Sequence, residues 1–137
     1  MSSDQSSRLI AIVDDDKSVQ SALQDLIESE GLSTLCFGSA EQFLDSEARY
    51  NAACLIADVR MPGMSGLELQ VKLKAERCRI PIIFITAHGD AKMRIQAMRD
   101  GAVEFLTKPF DNEVLLDTVH AAVEDRAKAF GLGDSNR

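Results

Sequence analysis

The strongest constraint on the fold of this chain is an alternation of short apolar runs with segments of helical periodicity. Several of the runs are almost continuously apolar, which is typical of strands that are covered on both faces. Short strands that alternate with helices predict a parallel sheet with helices on both sides, joined by right-handed crossovers. The predicted strands cover residues 9–13, 33–37, 53–58, 80–85 and 103–107.

Five helices are predicted to follow these strands. The first carries apolar residues on one face from Val19 to Ile27 and ends at Gly31. The second and third begin at capping boxes, Ser39 to Gln42 and Ser65 to Glu68. The fourth covers about residues 90–99 and ends at Gly101. The fifth follows Asp111, and its inward-facing residues are predicted to be Leu115, Leu116, Val119, Ala122 and Val123.

The third helix has a second interpretation. Residues 67–73, LELQVKL, alternate between apolar and polar, which is the periodicity of a strand. The capping box before this segment and its place between two apolar strands favour a helix. We therefore predict a helix here.

Size and charge restrict the class of protein. The 137 residues suit one domain, and a net charge of −7 gives the chain no electrostatic reason to bind nucleic acid directly. No run approaches the ~20 apolar residues of a membrane helix, and the N-terminus lacks the apolar region of a signal peptide. We predict a cytoplasmic protein without membrane association, with a flexible N-terminus at residues 1–8, one domain at 9–126, and a tail or the start of a linker at 127–137.

The cysteines do not indicate a metal site. The sequence has an odd number of cysteines, three, and the spacing of Cys36, Cys54 and Cys78 matches no zinc-binding pattern. Cys36 and Cys54 lie in apolar runs and are interpreted as small core residues. Cys78 lies between arginines and is predicted to be partly exposed.

Polar residues stand where four of the predicted strands end. The first strand runs into Asp14-Asp15-Asp16, the third into Asp58, the fourth into Thr86, and the fifth into Lys108. Ligands of open parallel sheets bind beyond the carboxyl ends of the strands, so these groups should meet at one edge. Clustered carboxylates suit Mg²⁺, and together with a lysine they form a plausible phosphoryl-transfer site in which a carboxylate accepts the phosphate.

Each of these residues also has an ordinary structural explanation. Asp16 either caps the first helix or adds charge beside a metal. Asp58 could simply start a loop before Pro62, Thr86 could be an ordinary β-branched residue, and Lys108 a solvated one. Their gathering at one sheet edge is what favours a functional site.

Four stretches, IVDDD, ADVRMPGMSGLEL, PIIFITAHGD and GAVEFLTKPF, make the sequence resemble the receiver domain of bacterial two-component response regulators. They occur in the order and spacing of that family from about residue 9 to residue 123. DVRMPGMSG with TAHGD is most similar to FixJ-type receivers, which usually precede a helix-turn-helix output domain. The resemblance implies a CheY-like, flavodoxin-like α/β fold of five βα units, with a doubly wound parallel sheet in the strand order 2-1-3-4-5.

The resemblance also implies a role for each site residue. Asp58 would be the phospho-acceptor, and Lys108 would pair with the phosphoryl oxygens. The cofactor would be Mg²⁺, with Mn²⁺ as a substitute. It would be bound by Asp15, Asp58 and the backbone carbonyl of Arg60, while Asp14 would act through a metal-bound water.

Further residues would form the switch. Thr86 would donate its hydroxyl to the phosphoryl group, and Phe105 would turn inward into the space that Thr86 vacates. Arg60 and His88 would tune the lifetime of the phosphate. The peptide bond between Lys108 and Pro109 is predicted to be cis, a feature that is specified wherever it occurs.

The implied partners are a sensor histidine kinase, an output domain in transcription regulation, and a second copy of the chain. The homodimer would form, on phosphorylation, through residues 90–99, 103–106 and 113–123. His120 in the last of these segments is interpreted as structural or interfacial. The chain would be a signalling domain that assists its own phosphorylation and slow dephosphorylation, and not an enzyme.

Two other functions remain as alternatives. A Mg²⁺-dependent hydrolase with an aspartate nucleophile would need a second acid two residues beyond Asp58, where this sequence has Arg60. A degenerate module that binds partners without phosphorylation would not need the full set of acids, hydroxyl and lysine. Arg60 argues against the hydrolase, and the complete set of acids, hydroxyl and lysine argues against the degenerate module, so the sequence favours the receiver.

Overall fold

Five parallel strands form one sheet in the order β2-β1-β3-β4-β5 in the computed structural model, which describes residues 8–129 (126–129 as backbone only). This order confirms the α/β class and the topology that the resemblance implies. The strands are β1 Leu9–Val13, β2 Ser33–Phe37, β3 Cys54–Ala57, β4 Ile82–Thr86 and β5 Glu104–Thr107.

Three strands have boundaries that differ from the predicted ones. β3 is one residue shorter at each end than residues 53–58, and β5 begins one residue later than 103. β4 begins at Ile82 and not at Ile80, because Pro81 has no N–H to donate to a neighbouring strand. It also extends to Thr86, so this predicted site residue ends the strand itself.

The helices of the described residues include one that was not predicted. α3 is a single turn with no side-chain cap, and it buries only Ala48, so it leaves no periodic signal in the sequence. The last helix continues beyond residue 126, and the rest of the predicted tail, like residues 1–7, lies outside the described residues. The helices are α1 Lys17–Glu28, α2 Ala40–Asp45, α3 Ala48–Asn51, α4 Gly66–Ala75, α5 Ala91–Arg99 and α6 Asn112–Ala129.

The sheet separates two hydrophobic cores, because successive side chains of a strand point to opposite faces. Ile10 and Ile12 of β1 pack with residues of α1 and α6. Ala11 and Val13 of the same strand pack on the other face, with residues of α2, α4 and α5. Helices therefore cover both faces, and only the edges and ends of the sheet remain accessible to a ligand.

Only one of the two predicted capping boxes is complete. At α4, Ser65 accepts a hydrogen bond from the Glu68 N–H, and the Glu68 side chain accepts one from the Ser65 N–H. At α2, Ser39 accepts from the Gln42 N–H, but the Gln42 side chain accepts from Gly38, one residue before the cap. The predicted capping box at Ser39 was therefore wrong in one of its two hydrogen bonds, the one from the Ser39 N–H to the Gln42 side chain.

The ambiguous segment LELQVKL is helical, as predicted. Gly66, Leu69, Gln70 and Leu73 are its buried residues, which is the spacing of one helix face. Gln70 is buried because its Nε2 donates a hydrogen bond of 3.0 Å to the carbonyl of Ala97 on α5.

The three cysteines are free thiols. Cys54 is fully buried, and burial raises the pKa of its thiol to about 12, which suits a core residue. Cys36 is half-buried against the core of α1 and α6. Cys78 is half-buried as well, and its thiol donates to the carbonyl of Arg49 at 3.5 Å.

Candidate functional site

The candidate site lies where the strand order reverses, between β1 and β3. β1 pairs with β2 on one side and with β3 on the other. The Asp14 N–H donates to the carbonyl of Phe37 at 3.0 Å, and the Asp58 N–H donates to the carbonyl of Val13 at 3.1 Å. The two aspartates therefore leave the sheet side by side at its topological switch point, where open α/β sheets bind ligands.

Three carboxylates meet at this point. Asp14, Asp15 and Asp58 each offer an oxygen, and these oxygens lie within 4.8 Å of one another. Asp14 is buried, Asp58 is half-buried and Asp15 is exposed, so the group opens toward solvent on one side. Carboxylate oxygens are ligands of the kind that Mg²⁺ prefers, and the open side leaves room for the waters that this ion keeps. The structure confirms that these three predicted residues lie together.

Burial perturbs one member of the group strongly. Burial is the main cause that raises the pKa of Asp14, to about 6 from an ordinary value of 3.8. The N–H of Asp16 donates to Asp14 Oδ1 at 2.9 Å and opposes the rise, and the charge of Asp58 adds to it. The charge of Lys108 also lowers this pKa, so the lysine acts on the same cluster. A cation here would favour the ionised form of Asp14, which burial disfavours.

We expect Asp14→Asn to stabilise the chain in EDTA at pH 7.5. The folded-state pKa of Asp14 lies above its ordinary value, so ionised Asp14 costs stability, and that cost grows as pH rises from about 4 to about 6. The gain should be about 1–2 kcal/mol, because each pKa unit corresponds to about 1.4 kcal/mol and solvent screens part of it. Urea denaturation at pH 7.5 and pH 4 measures it, and the gain should vanish at the lower pH.

The matched comparison is Asp16→Asn. Hydrogen bonds from Ser18 favour the ionised form of Asp16 and lower its pKa, so removing this charge should not stabilise the chain. An equal gain in both variants, or a gain for Asp14→Asn that persists at pH 4, would contradict the assigned cause.

Asp16 is a helix cap and not part of the carboxylate cluster. Its Oδ1 accepts hydrogen bonds from the Ser18 N–H at 2.9 Å, the Ser18 hydroxyl at 2.6 Å and the Val19 N–H at 3.4 Å. These bonds satisfy donors at the start of α1. Of the two interpretations of Asp16, the structure therefore supports the cap.

Two predicted site residues stand where β4 and β5 end: Thr86 is the last residue of β4, and Lys108 directly follows β5. Thr86 is buried, and its hydroxyl oxygen accepts from the N–H of His88 at 3.3 Å. Lys108 is half-buried, and its N–H donates to the carbonyl of Thr86 at 2.9 Å. The bond between Lys108 and Pro109 is cis, as predicted. The ends of β4 and β5 are therefore joined by a backbone hydrogen bond between these two predicted site residues.

Arg60 and His88 lie at the mouth of the site with exposed side chains. The Arg60 N–H donates to Asp58 Oδ1 at 3.1 Å, which fixes the direction of this carboxylate. His88 contacts the site through its backbone, at the hydroxyl of Thr86. Effects of the two side chains on the phosphate remain predictions.

Phe105 is turned inward in this structure. Its side chain is only 2% exposed, and its ring centroid lies 6.2 Å from that of Phe84. The carbonyl of Phe105 accepts from Arg94 Nη1 at 2.8 Å, which ties β5 to α5. The structure therefore places the ring in the inward position, and its movement on phosphorylation stays a prediction.

Three residues that support the site were not identified from the sequence. Gln20 Nε2 donates to the carbonyl of Asp14 at 2.6 Å, and Glu41 Oε2 accepts from the N–H of Met64 at 3.0 Å, so each braces a loop at the site. Gly66 packs so closely that a Cβ on it would overlap the carbonyl oxygen of Asp58. No pattern in the sequence indicated the two side chains, whereas a glycine inside a helix suggests close backbone contact.

Comparison with known proteins identifies the family. The sequence model of the response regulator receiver domain matches residues 10–120. The chain belongs to this family. This match confirms the predicted resemblance to two-component receivers. Receivers of this family generally use Mg²⁺ and an aspartyl phosphate.

Curated relatives of this receiver include transcriptional regulators. It is 51% identical to the response regulator protein TodT of Pseudomonas putida over 116 residues, which are 85% of this chain and 51% of TodT. It is 37% identical to the transcriptional regulatory protein FixJ of Bradyrhizobium diazoefficiens over 120 residues, which are 88% of this chain and 58% of FixJ. The chain therefore spans about half the length of the curated relatives it matches.

Solved structures show the same fold. The response regulator StyR matches with a TM-score of 0.82 and 42% identity, over 93% of this chain and 65% of that one. FixJ-N matches with a TM-score of 0.76 and 39% identity, over 85% of this chain and 93% of that one. None of the helices within residues 8–129 has the length and hydropathy of a membrane span. The cytoplasmic location stays a prediction.

Proposed function

We propose that this receiver accepts a phosphoryl group on Asp58 from the phosphohistidine of a sensor kinase, and thereby controls an output domain or partner in transcription regulation. The observation that carries the proposal is the group of three carboxylate oxygens within 4.8 Å at the switch point of the sheet. Lys108 acts on this group through its charge. Carboxylate oxygens and a cation are what phosphoryl transfer to an aspartate requires.

Asp58 is the best placed nucleophile of the three. It is half-buried, and the Arg60 N–H holds its Oδ1, which leaves the second oxygen for attack. In an in-line displacement, that oxygen forms a bond to phosphorus while the bond from phosphorus to the histidine nitrogen breaks. The electron pair of the broken bond returns to the imidazole, which takes up a proton.

The donor set fits Mg²⁺. Asp15 and Asp58 would bind the ion together with the backbone carbonyl of Arg60, and the buried Asp14 would act through a bound water. Mn²⁺ has the same preference for oxygen ligands and should substitute. When bound, Mg²⁺ would offset the charge of the carboxylates and of the phosphoryl oxygens.

We expect Mg²⁺ to raise the melting temperature of the chain. At ten times its dissociation constant, a ligand that binds only the folded state adds about 1.4 kcal/mol, which is a shift of a few degrees for a domain of this size. Thermal unfolding with and without MgCl₂ measures the shift, with NaCl at equal ionic strength to account for screening.

The control pair is Asp15→Asn and Asp45→Asn. Asp15 lies in the carboxylate cluster, whereas Asp45 is exposed at the end of α2. The Mg²⁺ shift should be lost in the first variant and kept in the second. A shift that is equal in both variants would contradict a metal site at this cluster.

The switch would join the site to the face made by α5, β5 and α6. Thr86 and Lys108 would contact the phosphoryl group, and the position of Phe105 would change with that of Thr86. Arg94 of α5 bonds to the backbone of Phe105 at 2.8 Å. Large apolar side chains are exposed on or beside these elements, as a homodimer face would need: Ile95, Met98, Val103 and Val114.

Incubation with acetyl phosphate and Mg²⁺, followed by intact mass measurement, tests the proposal against its two rivals. A receiver should gain one phosphoryl adduct that is lost in base. Continued turnover of a small phosphoester without an adduct would support a hydrolase, although Arg60 occupies the place of its second acid. Retained partner binding without any adduct would support a degenerate module.

A further inference from the structure

Gly89 lies where Thr86 and Phe105 meet. A Cβ added to Gly89 would lie 2.7 Å from Cγ2 of Thr86 and 2.8 Å from Cε1 of Phe105. Real Cβ atoms essentially never lie closer than 3.0 Å to another heavy atom. No other amino acid therefore fits at position 89 while these two side chains stay where they are.

Space and not backbone conformation requires glycine here. Gly89 is outside the positive-φ region, so any L residue could adopt its backbone. Gly101 shows the opposite case, since it has a φ of +105° and its Cβ would meet nothing within 4 Å. The surroundings of Gly89 therefore point to its missing side chain as the feature that matters.

We propose that Gly89 is the positioning residue that admits the ring of Phe105 to its buried position. The inference rests on the proposed function, in which Thr86 and Phe105 form the switch. Gly89 leaves the space that the inward ring needs, and we place this inward state in the free chain as well, where phosphorylation would shift its population. A side chain at position 89 would exclude the ring from this site in both the free and the phosphorylated chain.

The neighbours of Gly89 leave the ring as the group that must move. Thr86 is the last residue of β4 and pairs with Thr107 of β5, so its backbone is held in the sheet. Rotation of the Thr86 side chain would relieve only the contact with Cγ2, and the ring atoms Cε1 and Cζ of Phe105 would still lie 2.8 and 3.1 Å from the added Cβ. After Gly89, Asp90 caps α5 by accepting from the Met93 N–H at 2.8 Å. β5 is an edge strand, and its Phe105 therefore has a route toward solvent.

NMR on the full chain with labelled phenylalanine tests the proposal. In the unphosphorylated wild type, we expect nuclear Overhauser effects between the Phe105 ring and the Thr86 methyl group. Gly89→Ala should lose them. Gly38→Ala is the matched control, because its Cβ would meet only Oε1 of Gln42, at an ordinary 3.6 Å. Effects of wild-type strength in Gly89→Ala, or an equal loss in the control, would overturn the proposal.

A second measurement applies if Gly89→Ala folds poorly. Leucine at position 105 lacks Cε1 and Cζ, the two atoms of the Phe105 ring that an added Cβ at position 89 would approach most closely. Gly89→Ala should therefore lower the melting temperature less in a Phe105→Leu background than in the wild type, which is a double-mutant cycle. Equal losses in the two backgrounds would overturn the steric link.

The phosphoryl adduct on Asp58 is measured in parallel by mass. Its absence from the wild type would overturn the proposed function, while the NMR result would still report on how the ring is admitted. An adduct in the wild type combined with unchanged ring contacts in Gly89→Ala would overturn the role of Gly89 alone. The two proposals can therefore fail separately.

Discussion

Asp58→Asn is expected to abolish the covalent adduct that acetyl phosphate and Mg²⁺ form on this chain. The wild type should gain ~80 Da per phosphoryl group, because a carboxylate that attacks phosphorus keeps the group as an acyl phosphate. The amide of asparagine is not a nucleophile of this kind, so the expected change is from nearly complete modification to none. Intact mass before and after base treatment measures it.

Two further variants show whether the loss is specific. Asp45→Asn removes an exposed carboxylate on α2 and should leave the adduct at the wild-type level. Asp15→Asn removes a proposed metal ligand and should slow the modification without moving it to another residue. An adduct that persists in Asp58→Asn would show that another residue is the acceptor, and the assignment of Asp58 would be wrong.

Lys108→Ala is expected to leave phosphorylation of Asp58 intact but to abolish the tightening of the dimer that follows it. The variant should fold, because Lys108 contributes its backbone N–H to the carbonyl of Thr86 and alanine keeps that group. The adduct on Asp58 should still form, but without the ammonium group the phosphoryl oxygens lose the partner that draws the switch toward them. Phosphorylation should then no longer tighten the dimer.

Analytical ultracentrifugation of free and phosphorylated chain measures this response. Coupling between two sites is typically 1–3 kcal/mol, or about 5–150-fold in affinity, so the wild-type dimer should tighten within that range and the variant should not. Lys74→Ala is the control, since Lys74 pairs with Asp100 at 3.9 Å, outside the site. A normal dimer response in Lys108→Ala would refute the role given to this lysine.

The carboxylate cluster could be predicted because it depends on topology and not on side-chain packing. Parallel strands place their carboxyl ends at one edge, so residues that follow separate strands must meet there. Asp14 and Asp58 lie 44 positions apart in the sequence, and their oxygens meet within 4.8 Å. Knowing where the strands end was enough to bring them together.

Local patterns were less informative wherever a tertiary partner intervened. LELQVKL looks like a strand because polar Gln70 is buried, where it bonds to Ala97, while apolar Val71 is half exposed. Gln42 follows the spacing of a capping box but bonds to Gly38, because the chain before α2 brings that N–H within reach. In each case a contact outside the local pattern decided which side chain was buried or bonded.

By itself, the sequence determined the α/β class, the alternation of strands and helices, and which polar residues lie at the ends of the strands. These follow from periodicity and from the direction of the strands. Only the tertiary structure decided that Asp16 caps α1, that the ring of Phe105 is buried, and that the space around position 89 admits only glycine. Such features depend on distances of a few ångströms between residues far apart in the chain, and no pattern along the sequence specifies those distances.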